Sequence, residues 1–423
     1  MSSELIEVYS YFYIKLRILS IMTKMSNLSQ TLNRSTSKKK SRLDVIDVLR
    51  GFAVMVIMLL HNIEHFNYYH YPMKTVTPDW LIDLDANVFS TMFFLFGGKT
   101  YSIFALLFGF TFYLMYEKQK KLGKDFGYRY LWRLFLLTIF AAFNAMFFAG
   151  EVLLMYAVTG LILFLERKLN AKVILIIACV LLFQPVEWYR YLNYLFVDGY
   201  SIGKNISSDM WLPVQTYLGG DSMLTTFYKN ISLGQTWSFM WALENGRVMQ
   251  TAGLFSLGFY FGKVKIFESD NQKKWLSILI TAVLISIPLY FLKDTYLVNQ
   301  SVVTLKRTLG VTFDMWWKLS FTFIWVSSIV LLYQYKTFQK LTKYLKAYGR
   351  MSLTNYITQS MVGGFLYYGY GLNWADKYGV TISLGIGIIL MIIQVTICNW
   401  WIEKYKQGPF EKLWHRLTWA PKF

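Results

Sequence analysis

The chain has 423 residues, of which 55% are hydrophobic, 19% aromatic and only 16% charged, and its mean hydropathy is +0.36. One soluble core would not bury this much apolar surface, so the composition excludes a single soluble domain and predicts a polytopic membrane protein. The formal net charge of +19 does not indicate nucleic-acid binding, because the Lys and Arg residues lie in short loops, where they orient membrane proteins.

The amino-terminal segment does not resemble a cleaved signal peptide. Lys15 and Arg17 interrupt its apolar stretch, and no small-residue cleavage site follows. Residues 1–42 are therefore interpreted as a basic, disordered tail, with Met25 as an alternative start that would leave residues 1–24 unexpressed. A transmembrane bundle is predicted over 43–402, followed by a basic cytoplasmic tail at 403–423.

The apolar runs predict an all-α fold, a polytopic transmembrane helix bundle of ten spans. Each run can cross ~30 Å of hydrocarbon, and the second can break at Gly97-Gly98. The predicted helices cover roughly residues 45–66, 88–116, 131–149, 151–166, 172–188, 242–262, 275–293, 312–334, 351–369 and 380–401.

Loop charges predict the orientation of the bundle. Segments on one side, such as "SKKKSR" and "YKTFQKLTKYLKAYGR", are rich in Lys and Arg, whereas residues 62–87 contain only Lys74 and residues 370–379 only Lys377. This bias predicts that both termini face the cytoplasm and that the protein is a multi-pass component of a bacterial cytoplasmic membrane.

One long segment, at about 189–240, is predicted on the outer side. It is too long for a simple connector. It either folds over the outer face, with re-entrant or interfacial helices, or forms a loose extracellular loop.

The first helix carries a polar stripe. Arg50 and His61 are eleven residues apart, which is three turns plus about 20°, so both face the same way at ~16 Å separation along the axis. Asp47 and His65 extend the stripe, which must face protein or a water-filled cavity. Arg50 either snorkels to the inner surface or belongs to that cavity. His61 is either a satisfied structural histidine or a base that handles protons.

Further polar groups occur within the predicted spans, and they include Lys99, Asn144 and Glu151. Glu244 and Arg247 are placed to neutralise one another, and Asp314 and Lys318 to pair at i,i+4. So many ionisable groups predict a polar cavity through the bundle. Cys179 and Cys398 both lie in apolar runs, and neither a disulfide framework nor a metal site is predicted.

Three segments together resemble a known family. They are "RLDVIDVLRGFAV", "KTYSIFALLFGF" with "YLWRLFLLTIFAAFNAMFFAGEVLLMYAVTG", and "YGRMSLTNYITQS" with "QGPFEKLW". Over about residues 42–418 the chain resembles the YeiB-like bacterial membrane proteins of largely unassigned function. That family is similar to the transmembrane acyltransferase superfamily, whose better-known branches acylate extracytoplasmic sugars from acyl-CoA.

The resemblance extends to particular residues. Arg50, ten residues and His61 match the spacing in the first helix of one acyltransferase branch. The YeiB-like pattern more often has Asn at the first position and His near the end of the third helix, and here His61 and Asn144 have the reverse arrangement. The acid of the family's "GDIL" segment corresponds to Glu151, so the carboxylate is retained.

The resemblance implies a membrane O-acyltransferase, with cytoplasmic acyl-CoA such as acetyl-CoA as donor. The acceptor would be a hydroxyl of a cell-envelope glycan or of a lipid-linked molecule. His61 would be the base, Glu64 or Glu151 would hold its tautomer, and Asn144 or Lys99 would stabilise the oxyanion. The arginines expected at the CoA phosphates are Arg50, Arg129, Arg133 and Arg350.

Two other functions remain open from the sequence. One is a transporter or flippase for a small anionic or lipid-linked substrate, although no internal repeat relates the two halves of the chain. The other is a membrane sensor or scaffold without turnover. For all three candidate functions, the expected partner is the membrane lipid bilayer, and nucleic acid is not an expected partner.

Overall fold

The structure is a computed structural model that describes residues 44–268 and 271–421. The predicted tail at 1–42 lies outside the described residues. The described residues are 78% helical and contain no strand. The all-α fold class is therefore confirmed. The chain divides after Ile46, and every contact described here lies within residues 47–421.

Nineteen α-helices make up the described part of the chain. They are α1 Asp44–Ile63, α2 Asp79–Phe96, α3 Thr100–Lys121, α4 Gly127–Ala145, α5 Leu153–Thr159, α6 Leu161–Glu166, α7 Ala171–Leu182, α8 Pro185–Phe196, α9 Ile206–Leu218, α10 Met223–Lys229, α11 Gln235–Glu244, α12 Arg247–Lys263, α13 Gln272–Phe291, α14 Val303–Leu332, α15 Lys336–Leu341, α16 Lys343–Arg350, α17 Ser352–Tyr367, α18 Val380–Tyr405 and α19 Pro409–Trp419.

Several of these helices are long and apolar enough to cross a membrane. Within the described residues there are five such helices by length and composition, or six if the bent pair α7 and α8, which meet at 50°, forms one span. This supports a membrane-embedded protein. The ten spans and the cytoplasmic termini remain predictions. The five are α1, α2 continued by α3, α13 with its π-helical end to Leu297, α14 and α18.

The predicted break in the second span is confirmed. Residues 97–99 form a turn between α2 and α3, and Gly98 has a φ of +74°, a left-handed conformation that favours glycine. The Lys99 ammonium donates hydrogen bonds to the carbonyls of Phe93 at 3.0 Å and Phe94 at 2.7 Å. The Phe93 carbonyl also accepts the backbone N–H of Gly97 at 2.9 Å, and both carbonyls lie in the last turn of α2, so Lys99 helps to satisfy the carboxyl end of the helix.

Helices α3 and α12 cross with their backbones in close contact. A Cβ atom on Gly109 would lie 1.9 Å from the Phe255 carbonyl oxygen, and one on Gly258 would lie 1.9 Å from the Leu106 carbonyl oxygen. Small residues at such crossings let membrane helices approach closely enough for extensive van der Waals contact. The crossing places α12 against the helix that carries Tyr101.

The long segment predicted at 189–240 is folded, so the loose-loop alternative is wrong. It contains α9, α10 and α11, and Val214, Tyr217 and Leu218 are buried in a cluster with Phe148 and Tyr367. The Glu244 carboxylate accepts hydrogen bonds from the backbone N–H of Ile206 at 2.6 Å and of Ser207 at 3.2 Å.

These hydrogen bonds explain why one predicted pairing does not form. Glu244 caps the amino end of α9, and no ion pair joins it to Arg247 within the described residues. A carboxylate stabilises the free N–H groups at a helix start by hydrogen bonding and by its charge.

The α3–α12 crossing makes a stability prediction. Gly258→Ala should destabilise the protein by about 1–3 kcal/mol, because the new methyl group has no room beside a backbone carbonyl. The effect is measured as a lower Tm of the purified protein in detergent. Gly310→Ala in α14 is the matched control, because nothing lies within 4 Å of a Cβ atom there. An equal Tm change in both variants would contradict the close crossing.

Candidate functional site

Two cavities meet at His61. The first, the arginine cavity, has a volume of about 370 Å³ and is lined by Arg50, Arg133 and Arg350 together with many apolar side chains. The second, the glutamate cavity, has a volume of about 230 Å³ and includes Glu64 and Glu151. The residues that line both cavities are Ile57, His61, Tyr101 and Val152.

Helix α1 places Arg50 and His61 on one cavity, as their spacing predicts. Both side chains line the arginine cavity. The helix ends at Ile63, three residues earlier than predicted, because the following turn includes positive φ values at His65, Phe66 and Asn67. This turn removes His65 from the polar stripe.

His65 is a satisfied structural histidine. It is fully buried, its Nδ1 lies 2.6 Å from the His70 carbonyl oxygen, and its Nε2 lies 2.9 Å from the Ser383 hydroxyl. Its ring stacks on Tyr367 at a centroid distance of 4.6 Å. Both ring nitrogens therefore have partners, and nothing remains for a ligand.

His61 has a different environment. Its ring is surrounded by aromatic rings, with centroid distances of 4.6 Å to Phe148, 5.6 Å to Phe66 and 6.4 Å to Tyr356. Its Nδ1 is buried without a hydrogen-bond partner in the part of the chain that the structure describes. Buried polar atoms usually have partners, so an unpartnered imidazole at the junction of two cavities is suited to hydrogen-bonding a ligand.

The two glutamates of the glutamate cavity differ in their partners. Glu64 interacts with Tyr69 and lies within electrostatic range of Arg247. The Glu151 carboxylate accepts hydrogen bonds from the backbone N–H of Leu153 at 2.6 Å and of Leu154 at 3.1 Å. Glu151 is thus held as the cap of α5. Neither carboxylate has a hydrogen bond to His61 among the described contacts.

Asn144 lies behind Glu151 and not in a cavity wall. It is fully buried, and its amide and that of Gln235 are directed at the Glu151 carboxylate. Neither Asn144 polar atom completes a hydrogen bond of ordinary geometry within the described residues. The structure therefore brings Asn144 next to the predicted acid and leaves it out of the lining of both cavities.

The arginine cavity combines a cationic end with an apolar wall. Arg50 donates hydrogen bonds to Asp47 at 3.1 Å and Thr111 at 2.5 Å. The Arg133 guanidinium lies 3.6 Å from the centre of the Trp414 ring. Arg350 is exposed. The wall between the arginines and His61 is formed mainly by Val54, Ile57, Phe104, Leu107, Phe108, Phe112, Met115, Leu137, Leu153 and Tyr156.

The carboxy-terminal segment, interpreted from sequence as a tail, forms α19 and closes one side of the arginine cavity. Glu411 accepts hydrogen bonds from the backbone N–H of Leu353 at 2.7 Å and of Thr354 at 3.0 Å, and so caps α17. Burial raises the pKa of the Glu411 carboxyl. Gly408-Pro409 is the sequence signal for this helix, because proline is favoured at a first helical position.

His415, also on α19, lines the arginine cavity without adding to its charge. Partial burial, and then the nearby Arg133 and Lys118, lower the pKa of its imidazole. The positive charge of the cavity therefore comes from the three arginines.

Lys99, predicted near the oxyanion, and Arg129, predicted at the CoA phosphates, do not line either cavity within the described structure. The Lys99 ammonium caps α2 and lies 4.0 Å from the centre of the Trp317 ring. Arg129 donates a hydrogen bond to the Thr418 carbonyl at 3.0 Å and lies 4.6 Å from the Trp419 ring centre. Arg129 therefore holds α19, and Lys99 holds the α2–α3 break.

Sequence reasoning did not identify the wall that the long segment at 189–240 contributes to the glutamate cavity. Residues of α11 lie there because α9 to α11 fold back onto the bundle, and the only signal was the length of the segment. Arg247, at the start of α12, also lines this cavity. The α11 residues in the lining are Gln235, Trp237, Ser238, Phe239, Trp241 and Ala242. The described residues include no group of three or more His, Cys, Asp or Glu side chains that could hold a metal ion.

The chain is similar to bacterial proteins of unassigned function. Residues 261–421 match a family described as "Protein of unknown function (DUF418)". The uncharacterised protein YxaH of Bacillus subtilis (strain 168) is 27% identical over 427 residues, which cover 94% of this chain and 98% of that protein. An uncharacterised 39.9 kDa protein in the amylase 3' region of Bacillus acidopullulyticus is 25% identical, over 90% of this chain and 95% of that protein. No solved structure matches the chain.

The Glu411 cap predicts how α19 is held. Glu411→Ala should cost about 0.5–2 kcal/mol, as for other lost helix caps, and should release α19 from α17. The expected result is faster tryptic cleavage between residues 404 and 416 in limited proteolysis of the detergent-purified protein. Leu413→Ala, an exposed change in the same helix that leaves every trypsin site in place, is a control for the substitution itself. Unchanged cleavage in Glu411→Ala would contradict a docking role for this carboxylate.

Proposed function

We propose that this protein is a multi-pass acyltransferase of the bacterial cytoplasmic membrane. It would move an acyl group from cytoplasmic acyl-CoA to a hydroxyl of an extracytoplasmic glycan or lipid-linked acceptor. The observation that carries the proposal is the meeting of two chemically different cavities at His61. The same proposal includes the ten spans, the cytoplasmic termini, and the resemblance to YeiB-like proteins and the transmembrane acyltransferase superfamily.

The arginine cavity supplies the chemistry that acyl-CoA requires. The phosphates of acyl-CoA bind best to guanidinium groups, which offer paired donors and a permanent charge, and Arg50, Arg133 and Arg350 line this cavity. The pantetheine arm and the acyl chain of acyl-CoA are less polar and suit the apolar wall between these arginines and His61. The thioester would then lie at the junction of the cavities.

The glutamate cavity would hold the acceptor hydroxyl. In the proposed step, His61 removes the hydroxyl proton while the oxygen attacks the thioester carbonyl. A C–O bond forms, the C–S bond breaks, and the proton passes from the imidazolium to the departing CoA sulfur. The unpartnered Nδ1 of His61 supports its assignment as the base. Glu151, fixed by its cap on α5, would shape the acceptor side, and Glu64 would stabilise the transient imidazolium by its charge.

A transporter or flippase is the second candidate. The break between α2 and α3 supports it, because Gly98 lines the glutamate cavity and broken helices are common at transport sites. In that case the two cavities would be halves of one path, and His61 would control passage instead of chemistry. A sensor or scaffold would need neither cavity to bind substrate.

Acetyl-CoA binding to the detergent-purified protein tests the donor site. Wild type should bind acetyl-CoA, and Arg50→Ala should weaken the affinity about tenfold or more, because charge-assisted hydrogen bonds are lost. Calorimetric titration gives both affinities. Arg416→Ala, an exposed arginine outside the cavity lining, should bind as wild type does. Absence of binding to acetyl-CoA and to longer acyl-CoAs would overturn the enzyme proposal.

Transfer is tested separately with His61→Ala. Membranes containing this variant should bind acetyl-CoA but should not move a radiolabelled acetyl group into the cell-envelope fraction, because the base is absent. His70→Ala is the control, since His70 lies in an exposed position and pairs with Asp376. If His61→Ala still transferred acetyl groups, the assignment of His61 as the base would be wrong. Gradient-driven uptake by proteoliposomes without acetyl transfer would favour the transporter.

A further inference from the structure

We propose that the glutamate cavity contains an anion subsite built on Arg247, and that this subsite binds the phosphate group of the acceptor. The acceptor would thus be a phosphate-bearing polyol or sugar. Its identity as an acyl acceptor depends on the proposed function, whereas the subsite itself does not.

Arg247 is buried in the wall of the cavity with unused hydrogen-bonding capacity. Its residue exposure is 9%, and it lines the glutamate cavity at the amino end of α12. Its guanidinium carbon lies 4.7 Å from the centre of the Tyr101 ring and 5.4 Å from that of Trp241. Its Nε has no hydrogen-bond partner in the described structure. A side-chain hydrogen bond to Tyr101 and the two aromatic faces orient the guanidinium, and Nε remains as a donor for a ligand.

The nearby carboxylates are engaged elsewhere. Asp314 forms ion pairs with Lys318 and, at 3.2 Å, with Lys293, so the predicted Asp314–Lys318 pair is confirmed. Glu244 caps α9, as described above. Glu64 lies within electrostatic range of Arg247 but forms no ion pair with it among the described residues.

A second cation approaches Arg247 at the α2–α3 break. A Cβ atom on Gly98 would lie 2.8 Å from Lys318 Cδ and 3.0 Å from Arg247 Nη1. Both side chains thus pack against the same glycine, and only a residue without a Cβ atom leaves them this space. Lys318 is paired with Asp314, whereas no ion pair joins Arg247 to a carboxylate of the described residues.

Among the described residues that line the glutamate cavity, Arg247 is the only cation, and Glu64 and Glu151 are its acidic groups. Glu151 is held by the N–H groups of α5, and Lys318 and Lys293, outside the lining, pair with Asp314. A buried guanidinium without an ion-pair partner is costly. A phosphate monoester carries about −1.5 to −2 charges at pH 7 and offers three acceptor oxygens, so it supplies that partner.

The walls and size of the cavity indicate what carries the phosphate. Trp237, Phe239 and Trp241 offer flat apolar surfaces, which suit the C–H faces of a sugar or polyol. The volume of about 230 Å³ lies below the ~300–1,000 Å³ typical of pockets for drug-sized ligands. One polyol phosphate or sugar phosphate unit is therefore the expected occupant. A soluble phosphate ester and a phospholipid headgroup share this chemistry.

The probe is glycerol 3-phosphate, titrated calorimetrically into the purified full-length protein. Wild type should bind it and should not bind glycerol. Arg247→Gln should weaken the affinity about tenfold or more, and Arg247→Lys, which retains the charge, should weaken it less. Arg50→Gln and Arg416→Gln should bind as wild type does, because a phosphate bound in the arginine cavity would instead depend on Arg50. Elution of each variant as one gel-filtration peak shows that it is folded.

A second arm distinguishes the two sources of phosphate. Phosphatidylglycerol in mixed micelles should compete with glycerol 3-phosphate if the subsite accepts a lipid headgroup, and should not compete if it takes only soluble esters. Both results support the subsite. Absence of glycerol 3-phosphate binding, or binding that Arg247→Gln does not weaken, would overturn it.

Acetyl-CoA binding measured on the same samples separates this inference from the proposed function. Arg247→Gln should retain acetyl-CoA affinity, since Arg247 does not line the arginine cavity. Glycerol 3-phosphate binding without any acetyl-CoA binding would preserve the anion subsite and contradict the enzyme. Acetyl-CoA binding without glycerol 3-phosphate binding would preserve the proposed enzyme and contradict a phosphate group on its acceptor.

Discussion

Buried charges in this protein must find their partners within the protein, because the hydrocarbon of a membrane offers none. Several buried or partly buried charged groups do so by satisfying helix ends. Lys99 donates hydrogen bonds to the last carbonyls of α2, and three glutamates accept hydrogen bonds from the first N–H groups of α5, α9 and α17. Glu244, which caps α9, lies on α11, and Glu411, which caps α17, lies on α19. These two caps therefore also join segments that are far apart in sequence.

The same requirement separates structural polar groups from candidate functional ones. His65 and Glu411 have complete sets of partners and hold the fold. In the described structure, His61 and Arg247 each retain one nitrogen atom without a hydrogen-bond partner, and both atoms are buried at cavities. Unmet hydrogen-bonding capacity in a low-dielectric interior is costly, so it is tolerated best where a ligand supplies the missing partner. For this reason both proposals are built on these two residues.

The arrangement around His61 divides the interior by polarity. The arginine cavity is cationic at one end and apolar along its wall, and the glutamate cavity is lined by carboxylates, aromatic rings and Arg247. A donor with a long apolar arm and a polar acceptor would thus be bound on opposite sides of one imidazole. The folded segment at 189–240 is essential to this division, because α11 forms part of the wall of the glutamate cavity.

The sequence by itself determined the helical class, the membrane character, the α2–α3 break and the common face of Arg50 and His61. These features follow from local composition and from the fixed geometry of one helix, which act over a few residues or turns. Only the tertiary structure decided which polar groups are already satisfied. It turned His65 towards Ser383, directed Lys99 and Arg129 to structural partners, and brought α11, Arg247 and α19 to the cavities. The physical reason is that a hydrogen bond or an ion pair depends on distances between segments, which helical periodicity does not contain.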